Sequence, residues 1–213
     1  MVDCLRGHDK LTAFSLSNFT VDQDEVCLDE LIKALGTIAT LKKVVLESHR
    51  EAKANFTGEA LAELCADNKF EELRIANFRL YPQHYDLIAE AVSKTTYLRT
   101  LRLNRVGMAQ PCLVKLAAGV KSNNSLRLID LSSNNIEDVG IAALADALKT
   151  NTTVTHLRLW DNKLVTEEGF MALADMLQVN NTIEKVDLPS MASHDAAKQV
   201  QGIIADKRNA LAV

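Results

Sequence analysis

Aliphatic residues recur along the chain in short strand-like segments, in each of which apolar and polar positions alternate. Such alternation is typical of a β-strand that buries one face. The first residues of seven segments are Leu11, Leu41, Phe70, Leu98, Leu126, Val154 and Ile183. Successive segments are therefore 28 to 30 residues apart, and a fixed period of this length predicts an array of stacked repeats.

A second pattern lies between the strand-like segments. In each interval, an apolar or small residue stands six and ten positions before the next segment, and this four-residue gap corresponds to one face of a helix. The pairs are Leu31/Leu35, Ala60/Leu64, Ile88/Val92, Leu116/Val120, Leu144/Leu148 and Leu173/Leu177. Strand and helix are thus predicted to alternate. The Asn-rich turns at 122–124, 150–152 and 179–181 are expected to stop the helices with left-handed backbone.

The polar positions of two segments carry a recognisable motif. Residues 126–136 and 154–164 both fit L-x-x-L-x-L-x-x-N-x-L, with Asn134 and Asn162 in the asparagine position. The chain resembles leucine-rich-repeat proteins of the ribonuclease-inhibitor-like class. The resemblance implies an α/β solenoid, a horseshoe with parallel strands on the concave face and helices on the convex face. Residues 1–213 are expected to form one domain of about seven repeats, with the leucine positions, Leu164 included, in the core.

The ends of the chain extend the same register. Met1 and Leu5 resemble the end of a preceding repeat's helix, and residues 193–207 have the pattern of an amphipathic helix. Residues 210–213 are interpreted as the start of an eighth strand. Because no dedicated polar cap is recognisable, we expect self-association or further repeats at the open ends.

Composition narrows the choice of partner and compartment. The net charge is -4 and the isoelectric point about 5.8, so the chain lacks the basic field that nucleic acids or anionic membranes attract. The N-terminus has no signal-peptide pattern, and no apolar run is long enough to cross a bilayer. The four cysteines show no metal-ligand spacing. We expect a cytoplasmic protein with reduced thiols, no metal and no cofactor.

Catalytic signatures are missing from the sequence as well. It contains no nucleophile with a paired base, no glycine-rich phosphate loop and no metal motif. The leading hypothesis is therefore a non-catalytic scaffold that binds another protein on the concave face. Two alternatives stay open: a GTPase regulator resembling the Ran GTPase activator, and a structural subunit of a larger cytoskeletal or effector assembly.

The repeat register identifies the side chains that face the hollow of the horseshoe. Arg74, Arg102, Asp130, Arg158 and Asp187 should form one row across neighbouring strands, with Leu128 beside His156. Arginine and tryptophan are common at binding hot spots. The candidate partner-binding residues are Arg74, Arg99, Arg102, Arg105, Leu128, Asp130, His156, Arg158, Trp160 and Asp161. They favour a partner with an acidic and apolar patch. The alternative is simple ion pairing, with Asp130 bridging Arg102 and Arg158.

Overall fold

A computed structural model describes residues 10–19, 25–49, 59–61, 64, 69–189 and 195–211. Seven strands form one parallel sheet in sequence order. They are β1 (Ala13–Phe19), β2 (Lys43–Ser48), β3 (Glu72–Ala76), β4 (Thr100–Asn104), β5 (Leu128–Asp130), β6 (His156–Arg158) and β7 (Lys185–Asp187). Each strand begins two residues after the first position of its predicted segment.

Helices pack on the outer side of the sheet. They are α1 (Glu25–Gly36), α2 (Pro82–Lys94), α3 (Gln110–Ser122), α4 (Asp138–Thr150), α5 (Glu167–Val179) and α6 (Asp195–Leu211), and residues 59–61 and 64 are also helical. Every predicted pair of helical core residues is buried. Neighbouring strands lie about 4.8 Å apart but packed helices need roughly 8 to 10 Å, so the array curves with the sheet inside. The predicted leucine-rich-repeat horseshoe is confirmed.

Two columns of buried asparagines connect the repeats. Asn134 and Asn162 each donate a hydrogen bond to a backbone carbonyl of their own repeat and to one of the preceding repeat. These four bonds are 2.8–3.1 Å long. At the other end of the strands, Asn180 donates to the Asn151 carbonyl (2.9 Å) and Asn151 to the Asn123 carbonyl (2.8 Å). Because peptide groups buried between layers cannot reach water, these amides satisfy them.

The second column corrects the expectation of left-handed turns after the helices. Asn123, Asn151 and Asn180 have φ of −75°, −76° and −83° and extended backbone. They end the helices through side-chain bonding and not through a left-handed conformation. Non-glycine residues with left-handed backbone occur instead near the end of β1, at Asn18, and after the next strands, at Asn77, Arg105, Ser133 and Asp161, with φ between 52° and 61°.

The C-terminal end also differs from its prediction. Helix α6 continues through Ala210 and Leu211, so these residues do not start an eighth strand. From α6, the Lys207 ammonium donates to the Asn180 carbonyl and Arg208 Nε donates to the Glu184 carbonyl (3.3 Å). These cations therefore cover two backbone carbonyls of the seventh repeat, contacts that the sequence pattern did not reveal. The interpretations of residues 1–9 and 212–213 lie outside the described residues.

Candidate functional site

The concave face carries the predicted row of charged side chains. The strand register pairs Arg74 with Arg102, Arg102 with Asp130, Asp130 with Arg158, and Arg158 with Asp187. The predicted alignment is confirmed. Leu128 and His156 are also register partners, as expected, and the imidazole Nδ1 of His156 lies 2.8 Å from the Thr155 hydroxyl.

The arginines of this row are paired with neighbouring acids. Arg74 lies 3.1 Å from Glu47, and Arg102 lies 3.8 Å from Glu72. Exposed pairs of this kind contribute only about 0 to 1 kcal/mol each, so they orient side chains more than they stabilise the fold. The concave row is therefore much less basic than its arginine content suggests.

Asp130 is the buried centre of the row. It is 6% exposed, and its Oδ1 accepts hydrogen bonds from Asn104 Nδ2 (2.7 Å) and the Ser132 amide (3.1 Å). Its other oxygen lies 3.7 Å from Arg158. The predicted bridge is thus half correct: Asp130 pairs with Arg158, but Arg102 turns to Glu72 because Asn104 occupies the Asp130 carboxylate.

Arg158 also reaches the next strand. Its Nε lies 3.2 Å from an Asp187 oxygen, at an angle that does not make a hydrogen bond. The Nε atoms of Arg74 and Arg102 are likewise inaccessible and without a hydrogen-bond acceptor among the described residues. Because these Nε atoms are buried, a partner could reach only the other nitrogens of the three guanidinium groups.

Arg99 has a structural contact. Its guanidinium donates to the Ser125 carbonyl at 3.1 Å, and Arg127, its equivalent in the next repeat, donates to the Thr153 carbonyl at 2.8 Å. The same bond in two successive repeats indicates a role in holding repeats together. The third arginine of this repeat, Arg105, has no side-chain hydrogen bond or ion pair within the described part of the chain.

A groove opens where β4, β5 and β6 end, beside the concave row. It has a volume of about 390 Å³ and is lined by residues that include Arg105, Ser133, Asn135, Asp161, Lys163 and Leu164. Trp160 directly precedes this lining and is 54% exposed. Its carbonyl accepts a hydrogen bond from the Ser133 amide (2.8 Å), which fixes the turn at the groove.

Sequence reasoning placed Arg105, Trp160 and Asp161 at the site but missed Lys163 and Leu164. Leu164 was expected in the core because it occupies the last leucine position of the motif. The structure corrects this: Leu164 is 49% exposed, and Val165 is buried in its place at 3%. The spacing of the helices could have signalled the change, because the helical pattern at 166–180 follows that at 137–151 by 29 residues and not 28.

Other candidate chemistry is sparse. Within the described ranges, no group of three or more His, Cys, Asp or Glu side chains is arranged to hold a metal ion. Cys112 is a buried free thiol whose pKa is raised by burial, whereas Cys4 and Cys65 and the side chain of Cys27 lie outside the described residues. The helices that the structure describes include none that is both long and apolar enough to cross a bilayer.

Seven stacked strand–helix units and the two asparagine columns define a leucine-rich-repeat solenoid. The family model of the TMOD/LMOD leucine-rich domain matches residues 57–206, and the chain belongs to this family.

Several proteins share parts of this sequence. Human tropomodulin-4 is 30% identical over 98 residues, which cover 46% of this chain and 28% of tropomodulin-4. Human leiomodin-3 is 29% identical over 98 residues and is covered to 18% of its length. The CARMIL protein of Dictyostelium discoideum is 30% identical over 87 residues, 40% of this chain and 8% of CARMIL. The chain thus corresponds to less than a third of each relative.

Solved structures share the fold. Leiomodin-1 actin-binding site 2 superposes with a TM-score of 0.63 at 20% identity, over 72% of this chain and 88% of that structure. The C-terminal domain of Caenorhabditis elegans tropomodulin superposes with a TM-score of 0.62 at 16% identity, over 72% of this chain and 95% of the domain.

Proposed function

We propose that this chain is a non-catalytic domain that binds actin or an actin-associated protein. The observation that carries the proposal is membership of the TMOD/LMOD leucine-rich domain family, which extends over residues 57–206. One structural relative is leiomodin-1 actin-binding site 2. None of the relatives described above is a GTPase activator by name, so the cytoskeletal alternative has the stronger support. Binding to actin would place the protein in the cytoplasm.

The contact surface is proposed to combine the concave row with the neighbouring groove. Arg102, Leu128 and Arg158 provide fixed charge and a partly buried apolar centre, and Trp160 provides a large exposed ring at the edge. Tryptophan and arginine contribute most at interfaces because they combine large burial with directional bonding. Arg74, Arg99, Asp130, His156 and Asp161 support this surface mainly through contacts within the protein.

Sedimentation velocity with monomeric and filamentous actin tests the proposal. The wild-type chain is expected to migrate with one of the two forms, and Trp160→Ala to weaken the association about tenfold or more, as for a hot-spot side chain. Met171→Ala on α5 is the matched control, since Met171 is also 54% exposed but lies on the convex face. A folded wild-type chain that binds neither form of actin would overturn the proposal.

A further inference from the structure

The turn after β6 contains one residue more than the turns after β3, β4 and β5. The buried residues that follow β3, β4 and β5 are Leu80, Met108 and Ile136, each 28 residues after the last, but the next is Val165, 29 residues on. Both Lys163 and Leu164 line the groove at this turn. The extra residue therefore exposes an apolar side chain that the other repeats bury.

Arg105 is the second unusual feature of the groove. Its φ is 52°, in the left-handed region that costs most residues about 1 to 2 kcal/mol and that Asn or Asp tolerates better. The left-handed residues after β3, β5 and β6 are short and polar: Asn77, Ser133 and Asp161. A costly conformation at a residue whose charge has no partner in the described part of the protein is typical of a binding site.

The charges around the groove select the kind of ligand. Lys163 lies 3.7 Å from Asp161, so these two opposite charges largely offset each other. The guanidinium of Arg105 is then uncompensated, with the exposed side chain of Leu164 in the same lining. Trp160, which is also exposed, directly precedes Asp161 of that lining. A carboxylate can accept paired hydrogen bonds from a guanidinium, and an aliphatic side chain can cover the apolar surface. The Asp161 carboxylate disfavours a polyanion such as nucleic acid.

We infer that the groove at the ends of β4, β5 and β6 binds an acidic segment of the protein partner that carries one aliphatic side chain. A carboxylate of the segment pairs with Arg105, and the aliphatic side chain packs on Leu164 and Trp160. The identity of the partner rests on the proposed function. The centre of binding is then the groove. The ion-paired arginines of the concave row lie outside this centre.

A peptide titration tests the groove without actin. Trp160 is the only tryptophan of the chain, so its fluorescence reports occupancy of the groove by a tryptophan-free peptide. The probe is an acetylated, amidated pentapeptide with two acidic residues on each side of a leucine, and a peptide with lysines in the acidic positions is its control. The acidic peptide should give a saturable emission change that weakens as salt increases. No saturable change would overturn the inference.

The variant Arg105→Asn separates binding from folding. It removes the guanidinium and relieves the left-handed strain, so the acidic peptide should bind at least about tenfold more weakly while the melting temperature rises. Lys149→Gln is the control, since it removes one positive charge from the convex helix α4. Unchanged peptide affinity in Arg105→Asn would overturn the inference.

The two proposals fail in different ways. If actin binds wild type and Arg105→Asn equally well, the groove is not the binding centre, although actin binding itself stands. If the acidic peptide binds through Arg105 but actin does not bind, the groove assignment stands and the actin proposal falls.

Discussion

Single asparagine residues satisfy several peptide groups between layers of this protein. Asn134 is the fullest example: its amide nitrogen donates to the carbonyls of Leu103 (2.8 Å) and Leu131 (2.9 Å), and its oxygen accepts from the amides of Val106 (3.0 Å) and Met108 (3.1 Å). Since a buried peptide group without a partner costs about 1 to 3 kcal/mol, one side chain here protects several such groups.

Asn134→Ala should therefore lower the free energy of unfolding by about 2 to 4 kcal/mol. Urea denaturation followed by circular dichroism measures the change. Asn135→Ala is the control, because Asn135 is the exposed neighbour, and it should change stability by less than about 0.5 kcal/mol. Equal effects of the two substitutions would contradict a structural role for the asparagine column.

Some properties of single residues could be predicted from the sequence, and others, such as side-chain pairing and exposure, could not. The motif correctly indicated Asn134 and Asn162 as special, because a polar residue in a fixed apolar framework is readily recognised. It could not reveal that Arg102 pairs with Glu72, because the choice of acid depends on side-chain competition for Asp130. The prediction for Leu164 was wrong because the motif places the last leucine at a fixed distance from the strand. Packing against the next helix instead decides whether residue 164 or 165 is buried.

At the scale of elements, the close approach of two helices depends on a glycine. A Cβ at Gly119 of α3 would lie 2.4 Å from the Ala89 carbonyl oxygen of α2. This is backbone and cannot rotate away, so any larger residue would push the two helices apart. In α6, by contrast, a Cβ at Gly202 meets nothing within 4 Å.

Substitution of these two helical glycines by alanine should have opposite effects. Gly202→Ala should stabilise the protein by about 0.5 to 1 kcal/mol, because alanine has the higher helix propensity. Gly119→Ala should destabilise it by roughly 1 to 3 kcal/mol, as overpacking does. Thermal unfolding of both variants beside wild type measures the difference. Stabilisation by Gly119→Ala would show that α2 and α3 can separate at little cost.

Helix α2 begins with a buried histidine. His84 Nδ1 accepts a hydrogen bond from the Tyr81 amide at 3.3 Å, which a protonated nitrogen could not do. Burial lowers the pKa of His84, and the charge of Asp29 opposes this shift. The folded protein therefore favours the neutral imidazole, whereas the unfolded chain protonates near the usual value of about 6.5.

This difference predicts a pH effect with a definite sign. Below about pH 6.5 the unfolded chain binds a proton that the folded protein resists, so stability should fall as the pH decreases toward the pKa of folded His84. His84→Gln keeps an acceptor but does not titrate. The stability difference between wild type and His84→Gln should therefore change between pH 7 and pH 5, as followed by melting temperature. A constant difference would exclude His84 as the titrating group.

Fold class and element order could be predicted at this scale because each repeat shows the same period. Every strand lies two residues after its predicted first position, and every predicted pair of helical core residues is buried. The sequence predicted the helix but not the hydrogen bonds that Lys207 and Arg208 of α6 make to the seventh repeat. The position of α6 against the seventh repeat brings Lys207 to the Asn180 carbonyl, and the composition of the helix does not reveal this position.

At the scale of the whole molecule, the repeats depend on their neighbours, so stability near an end depends on what covers it. Lys207 lies 27 residues after Asn180 and donates to its carbonyl, as Asn180 does to Asn151. Burial lowers the pKa of Lys207. A lysine of α6 thus bonds the Asn180 carbonyl, although its spacing of 27 residues differs from the 29 residues between Asn151 and Asn180.

Lys207→Met should loosen the seventh repeat without unfolding the others. The amides of Thr182 and Ile183, both bonded to Asn180 Oδ1, should exchange with deuterium about five to tenfold faster, because the repeat would open more often. Lys198→Met is the control, since Lys198 pairs with Asp195 on the exposed side of α6. Unchanged protection would show that apolar packing of α6 alone closes this end.

The extra residue in the turn after β6 has a consequence for how such arrays diversify. Despite the extra residue, Arg158 still pairs in register with Asp187, so β7 keeps its place in the sheet. A one-residue insertion in a β–α turn thus alters the surface at that turn but leaves the pairing of the next strand unchanged. New specificities could accumulate by small insertions or deletions at turns, while the shared framework of leucines and asparagines stays unaltered.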